Sequence, residues 1–139
     1  MKSFAVHYDP EDLTDLNELS PFNLKHDIKD LSSQELIDIA ESIASELLIS
    51  LNHPPTVVLK YSTNDKSVSW LKVRTEDQQR HTGKSNGFRC IVLVDNKNKH
   101  AYLLHLYRHG HGEDKNISHS DENQLKEMVK KYHQELQSN

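Results

Sequence analysis

The stretch GFRCIVLVDNKNKHAYLLHLYRHGHG, Gly87 to Gly112, holds two apolar runs around a polar turn. Phe88–Val94 and Ala101–Tyr107 are rich in β-branched and aromatic residues, the composition of strands. Both are apolar on consecutive positions, as central strands covered on two faces require. Asp95–Lys99 between them is short and polar, so the pair reads as an antiparallel hairpin. The second run ends in Arg108, His109 and His111, with Gly110 and Gly112 on either side of His111. Glycine lets a backbone approach a ligand closely. A dense cationic cluster at a strand end suits an anion.

Outward from this hairpin, Val57–Tyr61 and Val68–Val73 repeat the strand composition across a polar turn, Ser62–Ser67. The longer polar segment Thr75–Asn86 carries Arg80, His81 and Lys84. The blocks from Val57 onward therefore make a four-stranded meander. Upstream, Ser32-Ser33-Gln34-Glu35 supplies a capping box for a helix with Leu36, Ala40, Ile43, Leu47 and Leu51 at helical spacing. Asn52-His53-Pro54-Pro55 ends it. Before that helix, Phe4–Tyr8 reads as a short strand, and Asp9-Pro10 opens a first helix with Leu13, Leu16 and Leu19. A polar connector with Phe22, Leu24 and Ile28 follows. Ser118 or Ser120 opens a closing helix with Leu125, Met128, Val129, Tyr132 and Leu136 on one face. The expected fold is α+β: an N-terminal strand and two helices packed on an antiparallel four-stranded meander, with a C-terminal helix. Residues 1–139 form one domain.

Composition narrows the class. Hydrophobic residues make up 35% of the 139, a modest core gathered in periodic blocks rather than diluted as in a disordered chain. The longest apolar run is far short of a membrane span, and MKSFAVHYDPEDL lacks the apolar centre of a secretion signal. The one cysteine, Cys90, lies in an apolar run and suits a reducing compartment. A soluble, cytoplasmic protein is expected. Charge is divided: residues 1–55 carry 3 basic and 11 acidic residues, a balance of −8, whereas residues 56–139 carry 14 and 10, or +4, together the stated −4. An acidic face and a basic face follow, the basic one able to attract phosphate.

Arg89 lies inside an apolar strand, where an unpaired charge costs several kcal/mol. It must reach a solvated face, pair with an acid, or hold an anion. Whether Arg89 meets the Arg108 cluster depends on register. A three-residue turn at Asn96–Asn98 sets Arg89 opposite His105; a two-residue turn at Lys97-Asn98 sets it opposite Leu106 and diagonal to Arg108. Lys72 and Arg74 alternate with apolar residues, so they share a face able to grip a nucleic-acid backbone. His105, His109 and His111 match no zinc-ligand spacing, so no metal or other cofactor is expected.

The strand NGFRCIVLVD (86–95) resembles the Gly-Tyr-Arg strand of the RelE/ParE/HigB superfamily of bacterial toxins. AYLLHLYRH (101–109) is similar to the next strand of that superfamily, which ends in a basic residue, and SWLKVR (69–74) to an earlier one. VHYDPEDLTDL (6–16) resembles its opening strand and helix, and the helix after the basic strand end is like that of the HigB branch. The resemblance implies the toxin of a type II toxin–antitoxin pair: an mRNA endonuclease working without metal, commonly on the ribosome, and inhibited by a cognate antitoxin protein. Cutting RNA needs a base for the 2′-OH proton, charge stabilisation of the phosphorane and an acid for the leaving oxygen. Histidine suits proton transfer, and arginine donates two parallel hydrogen bonds to phosphate. On that basis Arg89, Arg108, His109 and His111 are the expected catalytic residues, and Lys72, Arg74, Arg80 and Lys84 the RNA-binding ones. The acidic first part favours a second reading, a non-catalytic protein-interaction module or regulator on the same scaffold.

Overall fold

The closing polar turn of the hairpin is organised by one buried carboxylate. Asp95 is fully buried; its Oδ1 accepts from the Lys97 and Asn98 N–H groups, each at 3.0 Å, and its Oδ2 accepts from Asn98 Nδ2 at 3.1 Å. These bonds shape a turn over residues 96–99 that Lys99 closes with a positive φ of 60°. Around this turn the structure, a computed structural model, describes residues 3–49, 56–76, 87–108 and 117–138.

The described strands are β1 (Ala5–His7), β2 (Val57–Ser62), β3 (Val68–Thr75), β4 (Phe88–Asp95) and β5 (His100–Arg108). They form one sheet in the order β1-β5-β4-β3-β2. The four-strand meander is antiparallel as expected, and β1 adds a fifth strand, parallel to β5, with Ala5 opposite His100 and His7 opposite Tyr102. The helices are α1 (Thr14–Leu19), entered through a 3₁₀ turn at Pro10–Leu13, α2 (Leu24–Asp27), α3 (Ser33–Ile49) and α4 (His119–Gln137). The capping box forms: Ser32 Oγ accepts from the Glu35 N–H, and Glu35 Oε1 accepts from the Ser32 N–H. Ser118 caps α4 by accepting from the Asp121 N–H. The connector before α3 is not plain loop. Leu24, 2% exposed, anchors the single turn of α2, so three helices rather than two precede the meander. The prolines expected to end α3 lie outside the described residues.

Both faces of the sheet are covered, which is why β4 is buried at every position. On one face Cys90, Val92, Val94, Leu71, Val73 and Leu103 meet Ile39, Ile43 and Leu47 of α3. On the other, Trp70, Ile91, Leu93 and Leu104 meet Leu125, Met128 and Val129 of α4. Each such buried side chain contributes roughly 1.5–3 kcal/mol relative to exposure. Burial also pushes the Cys90 thiol up to about 12, so it is an inert core residue.

Hairpin register differs from both expectations. Beside the turn, Asp95 pairs with His100 and Val92 with Leu103, the register of the two-residue alternative. A bulge then inserts Leu104, so that Ile91 pairs with His105, Arg89 with Tyr107 and Phe88 with Arg108. One extra residue reverses which side every later side chain takes. Arg108 consequently shares the α3 face with Phe88, whereas Arg89 lies on the α4 face.

Asp95→Ala removes acceptors from two turn N–H groups and from the Tyr132 hydroxyl of α4, at 3.0 Å. It should cost about 3 kcal/mol or more, measured by urea unfolding. At the other edge, His7 Nε2 and His100 Nδ1 are 3.0 Å apart, a bond that needs one ring to be unprotonated. Burial, and next the His100 imidazole, lower the His7 pKa from its ordinary 6.5, with Asp12 opposing them. Because the unfolded chain then binds the proton more readily, this contribution is complete above about pH 6.5 and is lost as pH falls through the lower folded value. The thermal midpoint should therefore drop between about pH 7 and 5, and drop less in His7→Gln.

Candidate functional site

Beyond the pairing with β1, the outer edge of β5 would expose its backbone donors. Asp27, at the end of α2, covers it: its Oδ2 accepts from the Leu106 N–H at 3.2 Å and meets His105 Nδ1 at 2.7 Å. Phe22 stacks on the His105 ring, with centroids 4.1 Å apart and planes 5° from parallel. A carboxylate on one nitrogen and an aromatic face against the ring fix the imidazole's orientation. Connector residues 22–27 thus hold a histidine contributed by the sheet.

His105 opens a row of polar side chains across the α4 face. Its ring lies 5.3 Å from that of Tyr107, and Lys72 Nζ lies 5.8 Å above the Tyr107 ring. Tyr107 pairs with Arg89, and Arg89 with Arg74, so both arginines join the same face on adjacent strands. Arg89 is 2% exposed. Like charges directly opposed in a sheet repel unless negative groups sit beside them. Arg89 is buried, while His105, Lys72 and Arg74 are half-buried and reach the surface of the row.

Of the residues expected from sequence, Lys72, Arg74 and Arg89 come together here. Arg108 does not. Its guanidinium carbon sits 4.5 Å over the Phe88 ring, and its Nη2 is 3.7 Å from Glu35 Oε2, so it ties the end of β5 to the start of α3. The expected union of Arg89 with Arg108 is thereby corrected, because the Leu104 bulge sends the two to opposite faces. His109, His111, Arg80 and Lys84 lie outside the described residues. Sequence reading placed His105 only as a possible neighbour of Arg89, and missed Asp27 and Tyr107. The available signal was Asp27 in a connector with three aromatic or aliphatic anchors, Phe22, Leu24 and Ile28, but its partner is 78 positions away.

A second polar network lies at the opposite end of the α4 face. The Tyr132 hydroxyl donates to Asp95 and is 3.1 Å from the Tyr102 hydroxyl; burial first, then these two partners, push its pKa up. Tyr132 is therefore a neutral structural link, and it also fills the helix stripe expected of it. Among the described residues no group of three histidine, cysteine or acidic side chains could hold a metal ion, and no helix is long and apolar enough to cross a membrane. Comparison with protein-family models, characterised proteins and solved structures gave no match.

Asp27→Ala leaves the Leu106 N–H and the His105 ring without their acceptor. It should destabilise the fold by about 1–3 kcal/mol in denaturant unfolding and speed hydrogen exchange at Leu106, whereas Asp30→Ala should do neither.

Proposed function

We propose that the chain is a metal-independent endoribonuclease of the toxin kind, working from the α4 face of its sheet. The observation that carries this reading is the continuous row of His105, Tyr107, Lys72, Arg89 and Arg74, with His105 held by Asp27. In this reading His105 Nε2 takes the proton of a ribose 2′-OH. The resulting oxygen attacks the adjacent phosphorus, giving a 2′,3′-cyclic phosphate as the bond to the 5′-oxygen breaks. Lys72 supplies the proton for that leaving oxygen. Arg74 binds the phosphorane's equatorial oxygens through its planar fork, and buried Arg89, opposite it in the sheet, adds positive charge to the site. Asp27 orients the imidazole and stabilises its charged form, as carboxylates do for catalytic histidines elsewhere. His109 and His111 are not required by it.

The partners are those the resemblance implies: mRNA, on the ribosome, and a cognate antitoxin that covers the cationic row. The strand–helix–meander–helix order supports that resemblance without bearing on activity. The second reading, a non-catalytic interaction module, is favoured by one feature. Leu59 of edge strand β2 is 59% exposed beside Val58 at 37%, an apolar edge that another protein could cover.

Purified chain should cleave single-stranded RNA in excess chelator and leave cyclic phosphate ends. His105→Ala should lower the rate by about 10²–10⁴-fold, and Arg89→Ala by about 10²–10³-fold. Arg108→Ala, on the other face, should keep the rate. Growth arrest that persists in the His105→Ala/Arg89→Ala chain would favour the interaction module instead.

A further inference from the structure

The junction of β1 and β5 brings two imidazoles together away from the cationic row. His7 of β1 and His100 of β5 stand on neighbouring parallel strands, with Ala5 opposite His100 and His7 opposite Tyr102. The His7 Nε2 and His100 Nδ1 atoms face each other at 3.0 Å. Both side chains are half-buried. The Tyr102 ring stacks on His7 at 4.8 Å with planes 18° apart, which holds that imidazole in place. His100 pairs with Asp95 beside the hairpin turn, so the junction lies at the other end of β5 from Arg108.

Two imidazole nitrogens at this separation match neighbouring positions around a metal ion. Metal–nitrogen bonds of about 2.0–2.1 Å set two ligands about 2.9 Å apart at a right angle and about 3.3 Å apart at the tetrahedral angle. The 3.0 Å separation lies between the two, so an ion can enter beside the line joining the nitrogens with a small tilt of each ring. The proton of the hydrogen bond moves to the far nitrogen of its own ring, and both facing nitrogens then offer a lone pair. Imidazole suits copper, nickel and zinc, whereas magnesium and calcium take oxygen. The Asp12 carboxylate, whose charge favours a cation at His7, favours a bound ion there as well. Among the described residues no third protein ligand joins the pair, so water fills the remaining positions and the ion stays exchangeable.

We propose that His7 and His100 form a two-imidazole site for a divalent copper, nickel or zinc ion that clips β1 to β5. The two ligands are 93 positions apart in the chain. A metal clip across so long a loop removes conformational freedom from the unfolded chain and so favours the folded one. A strand of three residues at the edge of the sheet is the element such a clip secures most. The site is independent of the ribonuclease reading, and no catalytic step passes through it.

Nickel chloride added to the full chain should raise its thermal midpoint by about 3 °C or more, and magnesium chloride should not. The nickel shift should vanish in His7→Gln and in His100→Gln, and persist in His133→Gln. A second measurement uses the unaltered chain and so does not depend on how the variants fold. Cu(II) at less than one equivalent should broaden the amide resonances of Ala5–His7 and His100–Tyr102 before those of His26, His105, His119 and His133. The absence of a nickel shift, a shift that survives in either His7→Gln or His100→Gln, or broadening centred on any other histidine overturns the site.

Discussion

The hydrogen bonds that converge on Asp95 set the geometry on which the rest of the molecule depends. A carboxylate with no solvent access accepts from two main-chain N–H groups of its own turn, from Asn98 and from Tyr132 of α4. The turn fixes where β5 starts against β4, and the tyrosine fixes where α4 lies against both. A loss here would leave several buried groups wanting partners at once, so alternative hairpin registers are costly. Side-chain parity along β4 and β5 is thus determined at one end of the hairpin and reversed at Leu104. The two events together decide which cations share a face.

That partition gives the sheet two unlike surfaces. The α3 face is closed: Arg108 is placed over Phe88 and near Glu35, and serves to join strand and helix. The α4 face is polar at both ends and apolar only between. At one end Asp95, Tyr132 and Tyr102 form a neutral network that holds the helix. At the other, Lys72, Arg74, Arg89, Tyr107 and His105 are gathered, with α2 arranged to hold the imidazole. Cations crowded on neighbouring strands weaken a sheet unless negative groups sit beside them, so this end carries a cost that the apolar stretch between does not.

Much of the architecture was legible in the sequence because its causes are local. The Ser32–Glu35 capping box, the Ser118 cap, the unbroken apolar runs of β4 and β5 and the stripe of α4 all act over a few residues. The placement of Lys72 and Arg74 on one face follows from strand alternation alone. What could not be read depends on partners far apart in the chain. Nothing in Leu103-Leu104-His105 marks a bulge, since both leucines are equally suited to either core, and the bulge is settled by two helices that bury one leucine each. The role of His105 was not legible because Asp27 and Phe22 reach it from a connector whose single helical turn is too short to announce itself.

The parallel docking of β1 also has a bearing on how the chain assembles. Its partner residues, His100–Tyr102, are separated from it by most of the sequence, whereas the meander strands pair with near neighbours. On a nascent chain the first strand must wait, unzipped, until the fifth has emerged, while α3 can coil as soon as its own residues are made. Ala5–His7 is then a latch engaged at the end of folding, and the paired imidazoles of His7 and His100 are its clasp.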